Sequence, residues 1–159
     1  MIIRNVKPSD YQTVISVLDD WWGGRKMASM LPRLFFIHFQ ETSFVAEENG
    51  RIVGLLIGFL SQTYSNESYI HFAGVHPSYR KQGIGKTLYE LFFNVVRSHD
   101  RIIVHCVTSP INTNSIAFHT RMGFQIEPPA TSQGECIYHT DYDGINEHRV
   151  SFKKCIHPK

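Results

Sequence analysis

The 159-residue sequence contains no apolar run near the ~18 residues that a membrane-spanning helix requires, so no membrane partner is expected. It also has no run of lysine and arginine, and its net charge is only +2. That balance is too mild for the basic face of a nucleic-acid-binding protein. Cysteine is scarce: Cys106, Cys136 and Cys155 are widely spaced, odd in number and free of any C-x-x-C pair, which argues against a disulfide framework or a zinc knuckle. None of the nine histidines are paired at the spacing of a zinc helix, so no metal is expected. There is no low-complexity tract, internal repeat or linker, which predicts a single domain over residues 1–159. The N-terminus runs straight into an apparent strand without the apolar core of a signal peptide, making cytoplasm the default expectation.

What the sequence does have is concentrated between Val75 and Leu88, which reads V-H-P-S-Y-R-K-Q-G-I-G-K-T-L. Tyr69 to Val75 alternates as a strand, and Ile84, Leu88, Leu91, Phe92, Val95 and Val96 recur at helical spacing. Glycines at a strand-to-helix turn bring backbone N–H groups close to an anion, and the helix dipole favours negative charge there. Arg80, Lys81 and Lys86 add positive charge around the turn. A P-loop is excluded because Arg80 stands where its first glycine belongs, and a dinucleotide turn because Leu88 stands where its third belongs.

Elsewhere the chain alternates short elements. Ile2, Ile3 and Val6 predict a first strand. Ser9 and Gln12 form a capping-box pattern before a helix bearing Tyr11, Val14, Ile15 and Leu18, ending near Asp19-Asp20. Trp21-Trp22-Gly23-Gly24 follows; two adjacent tryptophans do not fit one core, so at least one is expected to line a surface or cleft. A second helix runs from Pro32 through Phe39. Ser43 to Glu48 and Arg51 to Leu60 predict strands joined by the type I′ signal Asn49-Gly50, the second of them buried on both faces. Past the central helix come a strand from Arg101 to Val107 and a helix from about Thr113 to Met122. Two further strands are expected at Cys136 to Tyr142 and Arg149 to Ile156. The order is that of an α+β protein: a mixed, mostly antiparallel sheet with one parallel pair around the central helix.

V-x-P followed by R-x-x-G-x-G resembles the coenzyme A pyrophosphate loop of the GCN5-related N-acetyltransferases (GNAT). A second motif of that superfamily is similar to Asn112-Thr113-Asn114-Ser115-Ile116-Ala117-Phe118-His119-Thr120-Arg121-Met122-Gly123-Phe124, with His119 in the usual tyrosine position. The resemblance covers essentially the whole chain. It implies a GNAT-like acyl-CoA N-acyltransferase fold in which the strand ending at Val75 and the strand from Arg101 splay apart. It further implies acetyl-CoA as cosubstrate, its pantetheine on the backbone of Gly74 and Val75, with a Val75 N–H polarising the thioester. The pyrophosphate is expected on Gln82, Gly83, Ile84, Gly85, Lys86 and Thr87, with Arg80 and Lys81 beside it, and Asn112 on the pantetheine. By position, His119 is expected to protonate the leaving thiolate. His71 or His105 is a candidate base, Asp141, Asp143 and Glu147 candidates to attract a cationic amine, and Trp21 or Trp22 to cap it. The expected acceptor is a small-molecule amine, with a protein N-terminus or lysine, or a non-catalytic acyl-CoA-binding role, as alternatives. These expectations leave room for a homodimer.

Overall fold

The computed structural model describes residues 1–130 and 137–158. Among the described residues, seven strands form one sheet in the order β1-β2-β3-β4-β5-β7-β6. They are β1 (Ile2–Asn5), β2 (Phe44–Glu48), β3 (Arg51–Leu60), β4 (Glu67–Val75), β5 (Ile103–Thr108), β6 (Gln125–Glu127) and β7 (Val150–Cys155). Helices α1 (Asp10–Trp21) and α2 (Leu34–His38) cover one face, and α3 (Ile84–Ser98) and α4 (Thr113–Arg121) belong to the other. All pairings are antiparallel except β4 with β5, the crossover through α3.

β3 runs through the centre with Val53 to Gly58 all buried, as its unbroken apolar sequence predicts. It separates two cores. On one side Leu56, Ile70 and Val104 meet Leu88, Phe92 and Val96 of α3. On the other, Leu55, Ile57 and Phe72 meet Val14, Leu18 and Phe36. Asn49 (φ 51°) and Gly50 (φ 74°) both take the positive φ that the hairpin signal demands.

Two expectations are corrected. The side chain of Ser9 caps nothing at the start of α1. Asp10, the first helical residue, is instead tied to the chain before the helix: its carboxylate accepts the Lys7 N–H at 2.7 Å and two bonds from Arg4 at 2.8 and 2.9 Å. Burial alone would push Asp10 up, but the Arg4 guanidinium and the Lys7 N–H hold it below the usual carboxylate range. The strand predicted over residues 136–142 is also replaced. Residue 136 lies outside the described residues, and 137–142 hold only one bridge, His139 to Arg149, followed by turns. The strand that pairs with β7 there is β6, with Ile126 opposite Phe152.

Candidate functional site

The parallel pairing of β4 with β5 covers only Glu67–Ile103, Ser68–Val104 and Tyr69–His105. Beyond Tyr69 and His105 the strands part, the splay that the resemblance implied. β5 continues on β7 as far as Thr108–Val150, and β4 continues on β3 as far as Val75–Gly54, so an open edge is left between them. β4 carries a bulge in its middle: Phe72 pairs with Ile57 and Ile70 with Gly58, leaving His71 as the extra residue. After it, the His76 N–H bonds Val53 O at 2.8 Å on the β3 side. Strand backbones alternate, so the N–H and C=O of Val75 and Ala73 face the opening, whereas those of Gly74 face β3.

Gly74 serves a different purpose. A Cβ there would run into the six-membered ring of Trp22. That ring is half-buried and packs against Phe72 at 5.1 Å. Trp21, one residue earlier, is buried in the core with Val14 and Leu18. Consecutive helical side chains diverge by about 100°, so one tryptophan packs inward and the other becomes a wall over the end of β4. The connection beyond α1 is held by Asp19, whose Oδ1 accepts the N–H groups of Met27 and Ala28, both at 2.8 Å.

The turn from β4 into α3 has the geometry of an anion cradle. Gly83, at the helix N-cap, has φ 83°, and Lys81 has φ 62°. Among the described residues, no side chain caps this end. The first helical bond runs from Thr87 N–H to Gly83 O at 3.0 Å, so the N–H groups of Ile84, Gly85 and Lys86 have no partner within the helix. Thr87 spends its hydroxyl on Gly83 O as well. A Cβ on Gly85 would stand 3.5 Å from Phe118 and 3.8 Å from Val75, inside the mouth of the opening. Gln82 is tied back to Ser78 O at 3.3 Å. Arg80 turns its guanidinium to two carbonyls, Val75 O at 3.0 Å from Nε and Trp21 O from Nη2, strapping the turn to the C-terminal end of α1. Asn112 caps α4, its Oδ1 accepting the Ser115 N–H at 3.1 Å, which leaves its NH₂ group unspent by the cap.

His119 is buried behind this mouth. Its Nδ1 lies 2.7 Å from Ser115 O, so Nδ1 carries the hydrogen and Nε2, at 2.8 Å, accepts the Tyr89 hydroxyl. Its ring stacks on Phe152 at 4.9 Å. Burial pulls its pKa below the ordinary imidazole value, against the raising effect of the Ser115 carbonyl, so the ring is neutral. Burial likewise pushes the Tyr89 phenol far up, which keeps its proton in place.

His71 lies on the face of β4 that carries α2: Nε2 sits 2.6 Å from Met30 O, and the ring stacks on Phe35 at 4.3 Å. It latches the short segment before α2 onto the bulge. His105 is placed differently. At the point where the strands part, its Nε2 is 3.1 Å from Glu67 and its Nδ1 is 3.3 Å from Glu127. A recess of about 270 Å³ opens beside it, lined by Phe59, Tyr64, Glu67, Tyr69, His105 and Tyr142 among others. Burial pushes the Tyr69 phenol well up, and Tyr142 and Asp143 add to the shift. Asp141 is a turn residue (φ 53°), its Oδ1 accepting the Asn146 N–H at 2.7 Å. Asp143 and Glu147 pair with Arg149 at 2.8 and 3.2 Å. A larger groove, of about 430 Å³, is walled by Ile37 to Thr42 with Phe59 and Leu60 and has no part in the opening.

Glu67, Tyr69, Glu127 and Tyr142 had no signal in the sequence. They gather at one spot only through the β4–β5 register and the short β6. Among the described residues, no group of three or more histidine, cysteine or acidic side chains could hold a metal.

The chain is 33% identical over 79 residues to the L-2,4-diaminobutyric acid acetyltransferase of Nocardia farcinica, spanning 50% of this chain and 41% of that protein. It therefore spans less than half the length of that relative. Ard1 from Thermoplasma volcanium shares the fold with a TM-score of 0.77 at 20% identity, covering 98% of this chain and 97% of that one. An aminoglycoside 6'-N-acetyltransferase complexed with coenzyme A superposes with a TM-score of 0.71 at 17% identity, over 100% of this chain and 99% of that one. Residues 11–124, which contain the strand opening, the cradle and α4, match the acetyltransferase (GNAT) family, and the chain belongs to that family.

Proposed function

We propose that this acetyltransferase moves the acetyl group of acetyl-CoA directly to the primary amine of a small molecule. The observation that carries this reading is the parted edge of β4 ending beside the uncapped N-terminus of α3. The first-turn N–H groups from Gly83 to Lys86, with Lys81, Lys86 and the free N–H groups of Arg80, hold the pyrophosphate. The Val75 backbone takes the pantetheine as an added strand, and the Asn112 NH₂ group donates to it. Acetyl-CoA supplies the thioester; the amine nitrogen bonds to its carbonyl carbon, the C–S bond breaks, and the electron pair leaves on sulfur. An N–H of the open β4 edge, that of Val75, polarises the carbonyl.

The amine loses one proton in this exchange. His105 stands where the strands part with Glu67 and Glu127 on its two nitrogens, so it has no free lone pair to offer, and we assign the proton to Glu127, 3.3 Å from its Nδ1. Glu127, 42% exposed, passes it to water. His119, neutral and with both nitrogens engaged, supports the site chiefly by fixing Tyr89 against α4; a thiolate is a good enough leaving group to depart unprotonated. Small acceptors are favoured because Trp22 and the Tyr142 loop narrow the face that an extended peptide would need. The acceptor for which the Nocardia farcinica relative is named, a diamino acid, agrees in kind. The test is release of CoA thiol from acetyl-CoA against a panel of amines, amino acids, aminoglycosides and peptides. Turnover confined to peptides would move the acceptor to a protein N-terminus and refute the small-molecule reading.

A further inference from the structure

The recess at the foot of the opening shares His105 and Glu67 with the proton path, but its aromatic rings have no part in the transfer itself. The reacting nitrogen has to meet the acetyl group beyond the Tyr69–His105 pair, where β4 has a free edge. Glu67 lies two residues earlier on the same face of β4, about 7 Å further from that point. Its Oε2 is on His105, and its other oxygen is available to a further donor. Around it stand four aromatic rings, Phe59, Tyr64, Tyr69 and Tyr142, the first and third stacked at 5.4 Å. Aromatic faces closing on a carboxylate are the environment that binds ammonium ions, by ring quadrupole and charge together.

The surrounding charges agree. Arg149, the cation of the neighbouring loop, is already shared between Asp143 and Glu147, and Glu127 lies across His105. Lys153 pairs with His105 across the β5–β7 ladder but does not line the recess. An acidic tail is therefore repelled and a cationic one drawn in. A volume of about 270 Å³ lies below the usual range for drug-sized ligand sites, which suits a short aliphatic chain.

We infer that this recess is a subsite for a second cationic nitrogen, so that the acceptor is a diamine or longer polyamine, anchored at Glu67 while its other end reacts. The inference rests on the acetyltransferase reading above. The test compares cadaverine with n-hexylamine, which replaces the distal ammonium by a methyl group at equal length, using thiol release at saturating acetyl-CoA. The expected kcat/KM ratio favours cadaverine by at least tenfold, E67Q brings the ratio close to one, and Tyr142→Ala, at an exposed position, lowers it partway. Three results overturn the subsite in a protein that still binds acetyl-CoA by calorimetry: equal use of the two amines, discrimination that survives both variants, or turnover of neither amine. Loss of acetyl-CoA binding in the wild-type protein would instead sink the acetyltransferase reading and the subsite with it.

Discussion

Replacing His119 by Phe separates two jobs that this position could do. In the structure the imidazole is a buried link: Nδ1–H on Ser115 O, Nε2 under the Tyr89 hydroxyl, and the ring on Phe152. Phe preserves the stack but strands the hydroxyl of Tyr89, a residue only 3% exposed. An orphaned buried hydroxyl costs about 1–3 kcal/mol. For a domain of this size, a cost near 2 kcal/mol lowers Tm by about 4–8 °C. Tyr89→Phe in the same background removes the orphan, so the double variant should be more stable than the sum of the single losses. Stability against pH supplies a second reading. Burial puts the folded pKa of His119 below its ordinary 6.5, so the unfolded chain binds the proton first. The stabilisation is complete above pH 6.5 and is lost as pH falls from there through the lowered folded pKa; His119→Phe removes that slope. Thermal scans of the four proteins, with thiol-release kinetics on each, decide the matter. Loss of kcat under tenfold is expected once the variant is folded. A kcat lower by ~10²-fold or more with Tm unchanged would refute the linking role and restore His119 as the thiolate's acid.

Three other outcomes follow from the same geometry. Gly85→Ala places its Cβ at ordinary contact distance from Phe118 and Val75, so the protein should fold, while acetyl-CoA affinity measured by calorimetry drops at least tenfold, about 1.4 kcal/mol; unchanged affinity would mean that the cradle is misplaced. Gly74→Ala should displace the Trp22 ring, costing about 1–3 kcal/mol and raising the acceptor KM, and Trp22→Ala should relieve most of that stability cost. Strictly additive losses by thermal denaturation would show that the ring does not rest on Gly74. Lys81→Gln and Lys86→Gln should weaken acetyl-CoA binding more at low than at high ionic strength, and a salt-independent effect would assign them a structural role.

Much of this was legible in the sequence because the informative features are local. Strand, glycine turn and amphipathic helix follow one another from Tyr69 to Val96, so propensity and periodicity were sufficient to place those three elements. The failures are non-local or too short to carry a period. β6 has three residues, Gln125–Glu127, and exists because β7 offers it an edge; without it Glu127 would not reach His105. At the start of α1 the capping pattern at Ser9 is not realised, and Asp10 is held instead by the Arg4 guanidinium from β1, a contact that no helical pattern records. The Tyr89–His119 bond joins two helices 30 residues apart, and no single-helix pattern records it. The tryptophan pair was readable only as a pair: which one turns inward is set by the phase of α1.

The bulge at His71 ties these parts together. Strict alternation from Tyr69 would put the side chains of Ala73 and Val75 on the face of Glu67 and Tyr69, and would point Gly74 at α3. The extra residue reverses the phase. Ala73 and Val75 pack instead toward the α3 core, and Gly74 faces Trp22. His71, the residue inserted, is fixed by Met30 O and Phe35, so the reversal is paid for by contacts with α2 rather than by the opening itself. The open β4 edge therefore presents the Val75 backbone beside the cradle, while Glu67 and Tyr69, before the bulge, stay on the recess side. A one-residue deletion at position 71 would exchange those faces, turning Ala73 and Val75 toward Trp22 and Gly74 toward α3.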